Sequence, residues 1–361
     1  MRTILLLLIM FLGLAALAND GVYWSSGSVL HPMKETHIAL QGEHLSFSVR
    51  GEWAQVDVLF EFMNPESVTR ALTVGFQAPS AGGDQSEEVC STPQIEDLRV
   101  MNDGTLLPFR LMMAADEDAP LVDLGQLRFT QEDPGVFVYV FEMSFKPGLN
   151  RVQHSYRFRA SGSVDLSRSF DYILTTGAKW AGSTIARLSL EVDFGINERF
   201  FVKDIFGAKA DWCIVGVGRI GTTRTSFYDE GERPVRIVSG KLLIVVDDLT
   251  PRSNIEFHAQ REATFLDWPN ENTPYDEKVF YALQGRSLDL GNEYVLNKAD
   301  LRFLRNVLFA QQGYVFRDAE LQKTFGQFDW YIPDPNLEWD DRMFSPQDRL
   351  FLELIKLKEA E

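Results

Sequence analysis

The sequence predicts a mainly β protein: an antiparallel β-sandwich of one or two sheet pairs over residues 19–261, followed by a small three-helix module over residues 291–361. Three observations lead there. Between about residues 36 and 260, apolar and polar side chains alternate with the period of strands that bury one face. Turn signals such as Asn64-Pro65, Asp103-Gly104, Pro147-Gly148 and Glu230-Gly231 punctuate that region. After about residue 262 the apolar spacing changes to that of helices.

Taken in order, Val56, Val58, Phe60 and Phe62 alternate with Asp57, Leu59, Glu61 and Met63, which turns one face of a strand into a core. Val136, Val138 and Val140 alternate with Phe137, Tyr139 and Phe141, so this strand is expected to be buried on both faces. Further strands are expected over 72–76, 151–158, 187–194, 235–246 and 254–258. The segment 262–290, rich in Pro, Asn and Asp, reads as a linker. Asn297 with Asp300 at the third position caps a first helix, whose Leu301, Leu304 and Leu308 form one stripe and which ends at Gly313. Asp318 opens a second helix carrying Leu321 and Phe325. Ser345-Pro346-Gln347-Asp348 opens a third, with Leu350, Phe351, Leu354 and Ile355 as its apolar positions.

Residues 1–18 read as a signal peptide. Arg2 precedes an apolar run, and Ala16-Leu17-Ala18 supplies small residues for cleavage. The run is about 14 residues, shorter than the ~20 that span a bilayer, so a membrane span is not expected and the product is read as secreted or periplasmic. Apolar residues make up 45% and charged residues 24%, a globular composition. With 52 acidic against 35 basic side chains, the net charge of −17 repels a phosphate backbone and excludes nucleic acid as a partner on bulk electrostatics. In an oxidising compartment Cys90 and Cys213 can close a disulfide that stabilises the fold by ~4 kcal/mol. The alternative is an exposed Cys90 in a loop and a buried Cys213 in a strand, too far apart to meet.

Motifs for chemistry fail on context. Gly216-Val217-Gly218-Arg219-Ile220-Gly221 has the spacing of a dinucleotide fingerprint, but the β-branched and aromatic residues that follow open no helix, so it reads as a glycine-rich strand and turn. Asp334, Asn336, Glu338 and Asp340 alternate like calcium ligands, yet Trp339 and Ser345 occupy the positions where such a loop needs Gly and Glu. His31, His37, His44, His154 and His258 lack metal-ligand spacing, and adjacent acids such as Glu87-Glu88 and Asp247-Asp248 do not make a facing pair. No catalytic residue, metal or cofactor is assigned. The polar loops at 80–93 and 116–118 are surface segments suited to binding.

The C-terminal stretch resembles the bacterial YARHG domain, a small extracytoplasmic module, through Leu301–Asn306, Phe309–Phe316, Leu321–Phe325 and Trp330-Tyr331. Its naming pentad is altered: Phe309 stands for the Tyr, Gln311 and Gln312 for the Arg and His, while Ala310 and Gly313 remain. The resemblance implies work at the envelope, on the cell wall, and carries no catalytic residue over. Within it Arg302 and Arg305 either hold a carboxylate or phosphate by forked hydrogen bonds or pair with Asp318 and Glu320. Asn306 either joins them or bonds backbone near Gly313. Tyr314, Trp330 and Tyr331 complete the candidate ligand-binding set, the last two either as a sugar platform or as core. More weakly, residues 20–260 resemble exported bacterial domains of unknown function through Phe170–Gly182 and the strand Ala186–Phe194, which implies export and a β-rich fold.

The functional expectation is a non-enzymatic, exported, envelope-associated binding protein that recognises cell-wall glycan or an envelope protein. The alternatives are a hydrolase of envelope polymers with a site assembled from dispersed residues, and a protein-binding surface module.

Overall fold

The computed structural model describes residues 19–26, 29–32, 37–79, 91–115, 119–130, 135–162, 167–195, 198–222, 224–225, 230–260, 265–291 and 294–361. The signal segment 1–18, Cys90 and most of the polar loops at 80–93 and 116–118 lie outside them.

The chain is mainly β, with its helices gathered at the C-terminal end. Among the described residues the strands form two sheets. The smaller has six strands, ordered Val29–Pro32, Asn19–Ser26, Arg70–Pro79, Val136–Phe145, Arg110–Ala114 and Val122–Asp123; the larger has 13. Their inner faces merge into one apolar core. Phe76 and Phe141 from the smaller sheet and Phe60 from the larger surround His154 at ring distances of 5.1, 5.8 and 5.3 Å. The period-two reading holds: Val56, Val58, Phe60 and Phe62 are all buried, and Val136–Phe145 is buried on both faces through Phe141. One pairing departs from the antiparallel expectation. Ile185–Asp193 runs parallel to Ala39–Arg50, an arrangement open to strands separated by a long stretch of chain.

The strand Glu230–Leu249 organises the larger sheet. Its first half pairs with Glu198–Lys203, its second half with Ile185–Asp193, and its opposite edge with Cys213–Ile220. Gly216 and Gly240 adjoin where that edge pairing shifts register, and a Cβ on either would lie 2.3 Å from the Ser239 carbonyl or 2.0 Å from the Val215 carbonyl, respectively. Gly216 of the 216–221 motif and Gly240 of the partner strand therefore serve strand-to-strand approach. Cys213 begins the same edge strand, free and exposed. Cys213 is thus in no disulfide, its expected partner Cys90 lying outside the described residues, and the expectation of a buried Cys213 is corrected, because its side chain sits on the solvent side of an edge strand.

Among the described residues the C-terminal part holds four α-helices: α1 (Glu277–Gly285), in the segment read as a linker, and, within 291–361, α2 (Lys298–Gln311), α3 (Ala319–Gly326) and α4 (Pro346–Glu359). The caps fall where the sequence places them. Asn297 and Asp300 form a reciprocal capping box, Asp318 caps α3, and Ser345 with Pro346 starts α4. The missed helix is α1, within the segment read as a linker. Its Val279, Ala282 and Leu283 lie at i, i+3 and i+4 and enter a second core together with Phe265, Leu266 and Tyr275. So short an apolar stripe is masked in the sequence by the Pro and Asn around it. On α4 the buried positions are Phe351, Leu352 and Ile355, whereas Leu350 and Leu354 face solvent. That corrects the expected apolar stripe by rotating it toward Leu352.

Candidate binding surface

The residues expected to bind a ligand do not converge. Arg302 reaches Asp318 at 2.8 Å and Glu320 at 2.6 Å, and the hydrogen bond to Glu320 raises its already high pKa further. Arg305 pairs with Glu359 of α4. The Asn306 amide donates to the Arg302 carbonyl at 2.7 Å, inside its own helix. Trp330 is 2% exposed and Tyr331 is buried with it, so neither presents a face to a sugar; the Tyr331 hydroxyl donates to the Tyr314 carbonyl at 2.7 Å. Both rings are needed by a core that this small a unit fills with aromatics. Tyr314 alone of the aromatic candidates reaches solvent, beside Trp339 at 5.8 Å.

The metal-like patterns are likewise dispersed. Asp334 and Asp340 accept backbone N–H groups of Asn336 and Arg342 in turns, as polar residues between helices do. His44 bonds Ser189, His154 lies in its aromatic cage, and His258 faces Glu232. Among the described residues no three His, Cys, Asp or Glu side chains gather as metal ligands would.

What the structure does bring together is a different aromatic group. Trp268, 52% exposed, packs edge-on against Phe280 at 5.2 Å and Tyr281 at 5.6 Å; Tyr281, 39% exposed, continues to Tyr294 at 5.9 Å. The Tyr294 hydroxyl donates to Glu277 at 2.9 Å, so a carboxylate and a phenol border the rings. Helix α1 supplies Phe280 and Tyr281, and its start is held by Asp276, which accepts from the Val279 N–H.

The loop bearing Trp268 is anchored on both sides. Arg199, from the strand Glu198–Lys203, grips Asp267 with Nη1 and Nη2 at 3.1 and 3.2 Å, donates to the Phe265 carbonyl at 3.1 Å, and lies 3.8 Å from Asp329. The Tyr275 hydroxyl donates to the Asp267 carbonyl at 2.7 Å. Alongside, Arg236 lies over the Phe265 ring at 4.4 Å and donates to the Gln311 carbonyl at 3.0 Å. Burial pushes the Arg236 pKa down to about 10 and raises that of Glu198, whose negative charge partly restores Arg236. Two arginines of the sheet thus clamp the helical unit, and the clamp ends one residue from the exposed indole.

A model of the YARHG domain matches residues 281–360. The C-terminal helices are thus similar to the YARHG domain. Its altered pentad lies at the clamp: Gln311, standing for the family's Arg, is buried and gives its carbonyl to Arg236. Among solved structures, a provisionally named nutrient binding protein of Legionella pneumophila is 18% identical with a TM-score of 0.50, over 95% of this chain and 97% of its own. Sheets and YARHG domain together therefore follow a shared fold. An M1 zinc metallopeptidase of Deinococcus radiodurans aligns at 14% identity and TM-score 0.25 over 61% of this chain and 44% of its own, too distant to bear on architecture or activity. The comparison with curated proteins finds no match. No helix among the described residues is long and apolar enough to cross a membrane.

Sequence reasoning missed the Trp268 surface because Trp268, Glu277, Phe280 and Tyr281 fall in the segment 262–290 taken for a linker, and only Tyr294 lies beyond it, ahead of the first helix the sequence announced. The available signal was the i, i+3, i+4 spacing of Val279, Ala282 and Leu283, which puts Tyr281 on the opposite, solvent side. An exposed patch of rings on a fixed backbone is the chemistry of contact. It offers flat apolar faces with hydroxyl and carboxylate groups at the border.

Proposed function

We propose that this chain is a non-catalytic, extracytoplasmic binding protein that takes cell-wall glycan on the rings of Trp268, Tyr281 and Tyr294. The observation that carries the reading is an indole left half-exposed while its neighbours Asp267 and Tyr275 are held by a buried arginine and a hydrogen bond. Exposing an indole costs solvation, and anchoring its loop removes the entropy that binding would otherwise have to freeze. A pyranose presents an apolar C–H face to such a ring and hydroxyls to Glu277 and the tyrosines.

In this reading residues 1–18 direct export, the two sheets form a β-sandwich scaffold up to about residue 261, and the YARHG domain with its preceding anchored loop contacts the wall. The envelope setting is supported by the YARHG match, since that domain belongs to extracytoplasmic bacterial proteins. The nutrient-binding designation of the Legionella protein is compatible with a ligand-carrying role.

The test is retention of the purified mature chain on isolated peptidoglycan at low salt. Wild type is expected to sediment with the polymer and Trp268→Ala to stay in solution. A wild-type chain that is not retained removes the cell-wall reading, and retention of Trp268→Ala equal to wild type removes the platform from it.

A further inference from the structure

The sheet region has a cavity of its own, lined by no residue of the YARHG domain. It opens where three connections meet, following the strands Ser167–Tyr172, Glu198–Lys203 and Glu230–Leu249. Its volume is about 340 Å³, at the lower end of small-molecule sites, which run from about 300 to 1,000 Å³. Leu174, Phe206, Leu249 and Pro251 make a buried apolar floor, Lys209 and Arg252 stand exposed at the rim, and no carboxylate lines the space.

The walls are preformed. The Asn254 side-chain oxygen accepts from the Leu174 N–H at 3.2 Å, the Thr175 N–H at 3.3 Å and the Thr175 hydroxyl at 3.1 Å, tying two of the connections together. Lys209 is aimed by one hydrogen bond, from Nζ to the Asp248 carbonyl at 2.8 Å. Asp248 itself sits at φ 50°, a left-handed conformation that non-glycine residues seldom hold. The ammonium keeps further donors for a ligand. Arg252 has no carboxylate partner among the described residues, unusual in a chain with net charge −17. A lysine and an arginine without an acid between them, above an apolar floor, select a molecule that is anionic at one end and hydrocarbon at the other.

We propose that this cavity binds a small amphiphilic monocarboxylate, its carboxylate on Lys209 and Arg252 and its hydrocarbon body on Leu174, Phe206, Leu249 and Pro251. The site is separate from the glycan platform and stands or falls without it. It also gives a role to the Phe170–Gly182 stretch singled out in the sequence, whose Leu174 forms one wall.

Isothermal titration of the full mature chain with sodium octanoate tests the assignment, with 1-octanol and sodium acetate as half-ligands. Octanoate is expected to bind saturably and each half-ligand at least about tenfold more weakly, the loss expected when a charge-assisted hydrogen bond or the apolar burial is missing. Lys209→Ala/Arg252→Ala, altering exposed side chains only, is expected to weaken octanoate by at least about tenfold while leaving octanol affinity and the melting temperature unchanged. Trp268→Ala is expected to bind octanoate as wild type does. Absence of saturation, equal affinity for octanoate and octanol, an unaffected double variant, or loss of octanoate binding in Trp268→Ala would each overturn the proposal.

Discussion

The C-terminal part of the chain holds two groups of aromatic side chains that are alike in composition and opposite in placement. Phe316, Phe325, Trp330 and Tyr331 pack together inside the second core, Phe316 stacked on Phe325 at 5.0 Å and 18° and the other rings meeting at steeper angles. Trp268 and Tyr281 meet edge to face at its margin and Tyr281 continues at a tilt to Tyr294, with the indole open to solvent. Phe265, three residues before Trp268 in the chain, belongs with the inner group, stacked on Trp330 at 5.6 Å and covered by Arg236. Ring type does not separate buried from exposed aromatics. What separates them is whether the backbone that carries the ring is fixed for the ring's own burial or in spite of its exposure.

The comparison can be broken most forcefully at its buried half. Trp330→Ala empties the centre of a small core and is expected to lower the unfolding free energy by about 4 kcal/mol, read by urea denaturation. A loss below about 1 kcal/mol would show that the inner group is not the structural one.

Next comes the clamp. Asp267→Ala leaves the buried Arg199 guanidinium with the Phe265 carbonyl and, as its nearest remaining carboxylate, the more distant Asp329, and is expected to cost about 2–3 kcal/mol and to reduce peptidoglycan retention with it. Retention unchanged despite that loss would mean that Trp268 does not depend on its anchor.

The sheet core offers a contrast to the aromatic core of the YARHG domain, because it hides titratable groups. Burial holds the Glu43 pKa up at about 7, against a hydrogen bond from the Tyr172 hydroxyl at 2.6 Å that works in the other direction. The native state therefore keeps a proton that the unfolded chain releases near 4.5, and stability falls as pH rises through that window and stays lower above about 7. Glu43→Gln keeps the acceptor for Tyr172 and cannot ionise, so the drop in melting temperature from about pH 5 to 8 is expected to flatten. His154 acts on the acid side. Held neutral by burial down to about pH 3, it makes wild type lose stability as pH falls below 6.5, and His154→Phe is expected to remove that part of the acid sensitivity.

The smallest effects on stability belong to the surface. Arg302→Ala breaks two exposed ion pairs and is expected to change the unfolding free energy by no more than about 1 kcal/mol with retention on peptidoglycan intact. Trp268→Ala is expected to move it by no more than about 0.5 kcal/mol while abolishing retention, and that split sharpens the contrast with Trp330.

Much of this was legible beforehand. Period-two alternation marks Val56 to Met63 as a strand whatever it pairs with, and Asn297, Asp318 and Ser345 announce helix starts, because alternation and capping depend on residues a few positions apart. Helix α1 was hidden by its shortness and by the Pro and Asn around it. The pairing of Ile185–Asp193 with Ala39–Arg50, the meeting of Arg199 with Asp267 and the gathering of Lys209 with Arg252 join residues tens of positions apart, which no local pattern records.

By itself, then, the sequence determined the β class, the helix starts and the YARHG likeness of the C-terminal unit, since propensity, period and caps act over a turn or a strand. Tertiary structure alone decided which rings are core and which are surface, and which arginines are satisfied by carboxylates nearby and which clamp two units together. Exposure and partnership are properties of packing, and packing is set by chain segments that meet only when folded.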